Sequence, residues 1–250
     1  MNNSVTDPSY WDAWWSGQKS ASIDDNHPSV GKRGYLLRAI ERYTGRLDGR
    51  SVVELGGAVS WTLISLVKYR SVKATAVDYS PLAVAQSKKL YEANHCEIEL
   101  VCDDFFSPAL DGRKFDVVTH WGVLEHEIDP SRLIRRSVEL ANDWVVLTMP
   151  EMRGLGGWLW KKVAPKSYSF HIFHKDEDVI KAFADVGWEC RPFSFGPPFV
   201  FIYGTGAIGF IPMTLQKIQG ALFSCGRLGL PYHLGIPVFS SARGFVARKS

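Results

Sequence analysis

Between Ser51 and Pro150 the chain alternates short apolar runs with amphipathic stretches, and no other feature narrows the possible folds as much. SVVEL (51–55), KATAVD (73–78), IELVC (98–102), FDVVTHW (115–121) and DWVVLTMP (143–150) read as strands. WTLISLVKY (61–69), SPLAVAQSKKLYEA (80–93) and PSRLIRRSVELA (130–141) read as helices. Ser80 is placed as an N-cap, with Pro81 at the first helical position. Strands that alternate with helices form a parallel sheet covered on both faces. The predicted class is therefore α/β, a doubly wound and mostly parallel sheet. Ligands of such sheets bind at the C-terminal ends of the strands, near the point where strand order reverses. Glu54 to Ser60, Asp78, Asp103, Asp104, His120, Trp121 and the residues after Pro150 all fall at that edge.

The flanks complete the pattern. KRGYLLRAIERYT (32–44) has helical spacing, and KDEDVIKAFADVG (175–187) reads as a helix ending at Gly187. WECRPFSF (188–195) and ARGFVARK (242–249) read as strands, so the sheet is expected to finish with an antiparallel pair. Residues 1–250 are expected to form one domain. Three segments lie outside the core pattern: 1–31, rich in aromatics (Tyr10, Trp11, Trp14, Trp15), 151–175, and the apolar 196–241.

Charge and cysteine usage exclude some functions. A net charge of +3 with no basic stripe argues against nucleic acid as a partner. The cysteines (Cys96, Cys102, Cys190, Cys225) are scattered without a CxxC pair, as expected of reduced thiols in a cytoplasmic protein. The first residues have no basic stretch followed by an apolar one, so no signal peptide is expected. The run FVFIYGTGAIGFIPMTL (199–215) is too short and too rich in Gly and Pro to span a bilayer. It suits a lid, a dimer contact or a transient contact with lipid.

The loop after the first strand carries the functional signal. VVELGGAVS offers Glu54, Gly56, Gly57, Ala58 and Ser60 where strand gives way to helix. Such a turn brings backbone amides close to a ligand. Glu54 would repel a pyrophosphate and suits a cationic ligand. Asp78, at the second strand tip, is placed to accept from ribose hydroxyls; Asp103 or Asp104, at the third, could accept from an exocyclic amine. Acids at successive strand tips describe a positively charged nucleoside without phosphates, the character of S-adenosylmethionine. A nicotinamide-dependent oxidoreductase would need GxGxxG here, which is absent, and would have no use for Glu54.

The stretches VVELGGAVS, TAVDYSPLAVAQSK, LVCDDFF, FDVVTHWGVLEHEIDP and VVLTMPE resemble those of class I, Rossmann-like S-adenosylmethionine-dependent methyltransferases, in the same order. The resemblance covers about residues 32–195 and 242–249. It implies a seven-stranded sheet whose last strand is antiparallel. By the same resemblance, Glu54, Gly56, Gly57 and Ala58 would lie under the methionine and ribose, and Asp78 would bind the ribose diol with Tyr79 beside it. Asp103 or Asp104, with Phe105, would hold the adenine, and His120 and Trp121 would border the reactive methyl group. The family pattern acid-x-Gly-x-Gly-x-Gly is broken at Ala58 and Ser60. Ala58 is tolerable if its φ stays negative, and Ser60 is placed to cap the next helix.

Histidines supply the candidates for proton transfer. His171 leads, with Tyr168 as a neighbour; His120 and His126 are also candidates, the latter mainly as a structural residue of the LEH segment. His174 reads as helix entry. His171 and His174 stand only i,i+3 apart with no third ligand near in sequence, so no metal is expected. In the family, insertions of this kind form a lid over the acceptor. Trp11, Trp15, Trp158, Trp160, Tyr168 and His171 are the expected acceptor contacts; Lys161, Lys162 and Lys166 are either cations for an anionic acceptor or solvated. The expected activity is methyl transfer to an O or N atom of a small molecule in a biosynthetic or tailoring pathway. The alternatives are a saccharide or lipid-linked acceptor, and a non-catalytic S-adenosylmethionine-binding protein.

Overall fold

The computed structural model describes Thr6 and residues 8–17, 35–163, 165–195 and 242–250. Residues 18–31, the segment 196–241 with its uncharged run 199–215, and Cys225 lie outside the described residues. The elements are α1 (Pro8–Gly17), α2 (Tyr35–Thr44), β1 (Ser51–Leu55), α3 (Trp61–Arg70), β2 (Lys73–Asp78), α4 (Pro81–Ala93), β3 (Ile98–Cys102), β4 (Phe115–Trp121), α5 (Pro130–Leu140), β5 (Ala141–Pro150), α6 (Gly154–Val163), α7 (Pro165–Tyr168), α8 (Asp176–Ala184), β6 (Trp188–Phe195) and β7 (Ala242–Lys249). The strands form a seven-stranded sheet in the order β3-β2-β1-β4-β5-β7-β6. Pairing is parallel except for β7, which runs antiparallel to both β5 and β6. The expected doubly wound, mostly parallel sheet with an antiparallel last strand is what the chain adopts.

Burial on both faces accounts for the continuous apolar runs. Val52, Val117 and Val146 pack with α2 and α3 through Leu37, Ile40, Leu63 and Ile64. Val53, Val118, Val145 and Leu147 pack on the other face with α5 and α8 through Leu133, Ile134, Val179 and Phe183. Burying side chains of this size contributes roughly 1.5–3 kcal/mol each. Order reverses between β1 and β4, so their C-terminal tips flank the ligand crevice of such sheets. Edge strand β6 carries Pro192, paired only with Phe245 of β7, where a missing amide is tolerated.

Element ends differ from expectation in places. The α8 helix stops at Ala184 with Asp185 as C-cap; Gly187, at φ +77°, makes the turn into β6 rather than ending the helix. The α5 helix ends at Leu140 and β5 begins at once, two residues earlier than the apolar run indicates. Cys96, Cys102 and Cys190 are free thiols. Among the described residues no helix is long and apolar enough to cross a membrane.

Candidate active site

The glycine loop is built by backbone demands. Gly56 takes φ +67°, and a Cβ there would lie 2.7 Å from Val123 Cγ2. At Gly57 a Cβ would lie 2.7 Å from the Glu54 carbonyl oxygen, so neither position accepts a side chain without a shift. Ala58 stays out of the left-handed region, as its methyl group requires; Val59 enters it instead, at φ +53°. That conformation costs a β-branched residue about 1–2 kcal/mol. The Val59 amide donates to Ser87 Oγ at 2.7 Å, an anchor from α4 that holds the strained residue. Ser60 caps α3, its Oγ accepting from the Leu63 amide at 3.0 Å.

Three further loop amides are also engaged. Gly57 donates to the Val77 carbonyl at 3.0 Å, Ala58 to Asp78, and Ser60 to the Tyr91 hydroxyl at 3.2 Å. The loop therefore presents acids, not a row of free amides that a pyrophosphate would need. Glu54 is buried, and Ser60 Oγ donates to its Oε2 at 2.8 Å. Burial pushes its carboxyl up to about 7, against the hydrogen bond from Ser60. Asp78 accepts from the Ser80 amide at 2.9 Å, and burial raises it to about 6. Both acids are poised to ionise fully when a cation arrives.

The third tip is more exposed. Asp103 accepts from the Asp104 amide at 2.7 Å, and Asp104 from the Phe106 amide at 2.9 Å, so both shape the turn. The Asp103 amide donates to the Asp78 carbonyl at 3.1 Å, joining the two tips. Phe105 is buried in the core, its ring 4.5 Å from that of Phe106. Phe106 is the half-buried aromatic of this turn and lies under the Arg132 guanidinium at 3.6 Å. Tyr79 is half-buried.

Across the switch point, imidazoles replace acids. His126 and His171 lie 5.0 Å apart by ring centroids. His126 Nδ1 is 3.0 Å from the Phe170 carbonyl oxygen, and His171 Nδ1 is 2.8 Å from that of Ser167. Burial lowers both pKa values, His126 to about 4, and keeps both rings neutral. Glu125 is buried, its Oε2 has no hydrogen-bond partner among the described residues, and burial pushes its carboxyl up to about 8. The Ile172 amide donates to the Glu125 carbonyl at 2.7 Å, stitching this turn to the segment that carries His171. His174 Nε2 faces the carbonyl oxygens of Leu124 and Glu127, both at 3.0 Å, and fixes the same turn from below.

The α1 helix touches both sides. Ser80 Oγ donates to Asp12 at 2.6 Å, and Gln86 donates to the Trp15 carbonyl at 3.1 Å. Trp11 stands edge-on to His126 at 5.1 Å, and Tyr10 meets Phe170 at 5.0 Å.

A family model described as a methyltransferase domain matches residues 52–142. The ubiquinone biosynthesis O-methyltransferase of Coxiella burnetii is 29% identical over 94 residues, 38% of this chain and 40% of that enzyme. The chain thus spans well under half the length of the first curated relatives it matches. The enzyme of the same name from Glaesserella parasuis is 24% identical over 71% of this chain and 79% of its own. The fold is similar to that of magnesium protoporphyrin IX methyltransferase from Synechocystis, solved with bound S-adenosylhomocysteine. The TM-score is 0.58, with 18% identity over 97% of this chain and 94% of the other. Residues 52–142 thus carry the sequence pattern of a methyltransferase domain, and the chain around them has the Rossmann-like fold of such enzymes.

Against the residues expected to serve a methyltransferase, the structure brings Glu54, Gly56, Gly57, Ala58 and Asp78 together at the β1 and β2 tips. Three expectations change. His120 does not sit at an open tip: it is wholly buried, neither ring nitrogen has a hydrogen-bond partner among the described residues, and burial lowers it to about 3. Phe105 is buried and packs in the core beneath the third strand tip. Trp160 is buried edge-on against Tyr168 and His171 and does not line open space, whereas Trp158 is 57% exposed. Lys161, Lys162 and Lys166 are exposed, which favours the solvated reading. Trp121 is 43% exposed and stands edge-on to Phe195. Sequence reasoning missed Asp12, Ser87, Tyr91 and the joining of Glu125 to His171, contacts made across long sequence separations that no local pattern signals.

Proposed function

We propose that the chain transfers the methyl group of S-adenosylmethionine to an oxygen or nitrogen atom of a small-molecule acceptor. The observation that carries this reading is the pair Glu54 and Asp78: a buried and a half-buried acid at adjacent strand tips, beside a glycine loop in which the amides of Gly57, Ala58, Val59 and Ser60 are already engaged. Such a site fits a cationic nucleoside and rejects a dinucleotide. The donor, when bound, supplies a methyl group activated by a sulfonium. Asp78 would accept from the ribose diol, with Tyr79 beside it. Asp103 or Asp104 would accept from the adenine amine. Gly56 and Gly57 would let the donor approach the backbone, and Glu54 would offset its positive charge. Trp121 borders this edge.

Much of the rate of methyl transfer comes from holding acceptor and methyl group in line. His126 and His171, with Tyr168 beside them, would take part in deprotonating an acceptor hydroxyl or amine; burial keeps both imidazoles neutral, the form that has a lone pair to offer. Helix α1, with Trp11 and Trp15, and the segment 151–175, with Trp158, would form the cover over the acceptor. The relatives named for ubiquinone biosynthesis support a small molecule and favour oxygen. A saccharide or lipid-linked acceptor is the second reading, favoured by the uncharged run 199–215.

The test is calorimetry with S-adenosylhomocysteine, followed by a structure of the complex soaked with candidate acceptors. The expected result is stoichiometric binding along Glu54, Asp78 and Asp104. Absence of binding, or equal affinity for a nicotinamide dinucleotide, would overturn the reading.

A further inference from the structure

We propose that Glu125, His126 and His171 form a binding site for a divalent first-row transition-metal ion. One ligating atom from each of the three lies within 4.8 Å of the others. Three further observations turn this proximity into a built site. First, Glu125 Oε2 is fully buried and has no hydrogen-bond partner among the described residues, an arrangement that leaves about 1–3 kcal/mol of lost hydration unreturned unless something occupies the space it faces. Second, each imidazole turns Nδ1 toward a backbone carbonyl, Phe170 for His126 and Ser167 for His171. In a neutral ring that bond places the hydrogen on Nδ1 and the lone pair on Nε2, which is how metal-ligating histidines are oriented from behind. Third, the two carrier segments are locked together. The Ile172 amide bonds the Glu125 carbonyl, and His174 clamps the Leu124 and Glu127 carbonyls.

The donor set selects the ion. Two imidazoles and one carboxylate suit Zn2+, Fe2+, Co2+ or Ni2+, while Mg2+ and Ca2+ prefer all-oxygen shells. The walls are aromatic: Trp11 lies edge-on to His126, and Trp160 edge-on to His171 at 4.7 Å. An ion bonded at ~2.1 Å draws tetrahedral ligand atoms to about 3.4 Å apart, so binding asks the Glu125 side chain and the two imidazoles to turn inward from their present spacing within 4.8 Å.

Three protein ligands leave a coordination position open. Resting on the methyl-transfer reading, that position takes the hydroxyl oxygen of the acceptor. The bound O–H loses its proton to solvent near neutral pH, and the oxygen keeps the electron pair with which it attacks the methyl carbon. The methyl carbon–sulfur bond breaks, its pair remains on sulfur, and S-adenosylhomocysteine is the leaving group.

The experiment uses the full chain with any affinity tag removed, stripped with a chelator and titrated with Zn2+ by calorimetry. Metal content is then read by mass spectrometry after gel filtration, and Co2+ substitution is followed by its visible d–d absorption. Equimolar Zn2+ is expected, weakened ~100-fold or more by His171→Ala and by Glu125→Gln, the latter a near-isosteric change that preserves the fold. The exposed His95→Asn control is expected to bind as the parent does. Failure to retain Zn2+, or retention undiminished in both variants, would overturn the proposal. Binding of S-adenosylhomocysteine is measured on the same metal-free samples. Loss of Zn2+ binding with that affinity intact sinks the metal site alone, and the reverse sinks the donor reading alone.

Discussion

The ligand edge has two unlike halves, each containing a buried glutamate. On the β1–β2 side, Glu54 receives a hydrogen bond from Ser60, whose hydroxyl also caps α3. On the β4 side, Glu125 is equally buried but keeps an oxygen without a partner among the described residues. Both carboxyls are raised by burial, to about 7 and about 8. The first half is complete in itself and waits only for a positive charge to draw off a proton. The second half is incomplete without something the described residues do not supply. A fold that satisfies one buried acid and leaves the other bare separates a task that is preorganised from a task that depends on an incoming group.

The largest expected effect tests whether the halves act separately. Asp78→Ala removes the acceptor proposed for the ribose diol, and the affinity for S-adenosylhomocysteine should fall ~30- to 100-fold by calorimetry. His171→Ala should leave that affinity nearly unchanged; an equal loss would erase the division. Next comes Glu54. Because its folded pKa is raised, the folded chain holds a proton that the unfolded chain has released between pH 4.5 and about 7. The stabilisation is therefore fully present below that window and is lost as pH rises through it. Urea unfolding at pH 5 and pH 7 should show the parent losing about 2–3 kcal/mol more than Glu54→Gln. Equal slopes would mean that Glu54 is charged in the folded chain, and the contrast with Glu125 would sharpen. Smaller again is Trp11→Ala. The lost edge contact with His126 should speed amide exchange of α1 by ~2- to 10-fold, with little change in donor affinity. A donor defect as large as that of Asp78→Ala would assign α1 to the first half. Smallest is Ser87→Ala, which frees the amide of the strained Val59. It should cost about 1 kcal/mol, or roughly 2–4 °C in Tm by calorimetric scan, without abolishing donor binding.

Much of the fold was legible because its signals are local. The β1, β2, β3, β4, β6 and β7 strands coincide with runs read directly from the sequence; β1 and β4 are covered on both faces and read as near-continuous apolar runs, while the edge strands β3 and β6 mix apolar with polar residues. Ser60 and Ser80 cap the helices they precede, as their side chains predict. The Ala58 substitution was also legible: its φ stays negative, and the left-handed turn passes to Val59, which no local rule would choose. The site was legible in proportion to sequence distance. Glu54 and Asp78 lie at the ends of strands and could be placed from the strands alone. The cluster of Glu125, His126 and His171 depends on how the segment after α7 folds back onto the turn after β4, through the Ile172 and Phe170 backbone groups. Looking only at i,i+3 spacing paired His171 with His174, whereas the fold pairs it with His126 and uses His174 as a clamp. His120 misled because a strand-tip position says nothing about which helices cover it.

Pro192 has a consequence for how copies of this chain meet. Its ring leaves the outer strand β6 without one backbone donor, on the side of the sheet that no strand covers among the described residues. A strand from a second molecule laid along β6 would leave a carbonyl unpaired opposite it, an arrangement that proteins use to stop edge-to-edge growth. Self-association, where it occurs, is thereby directed to side-chain surfaces and away from continuation of the sheet through β6.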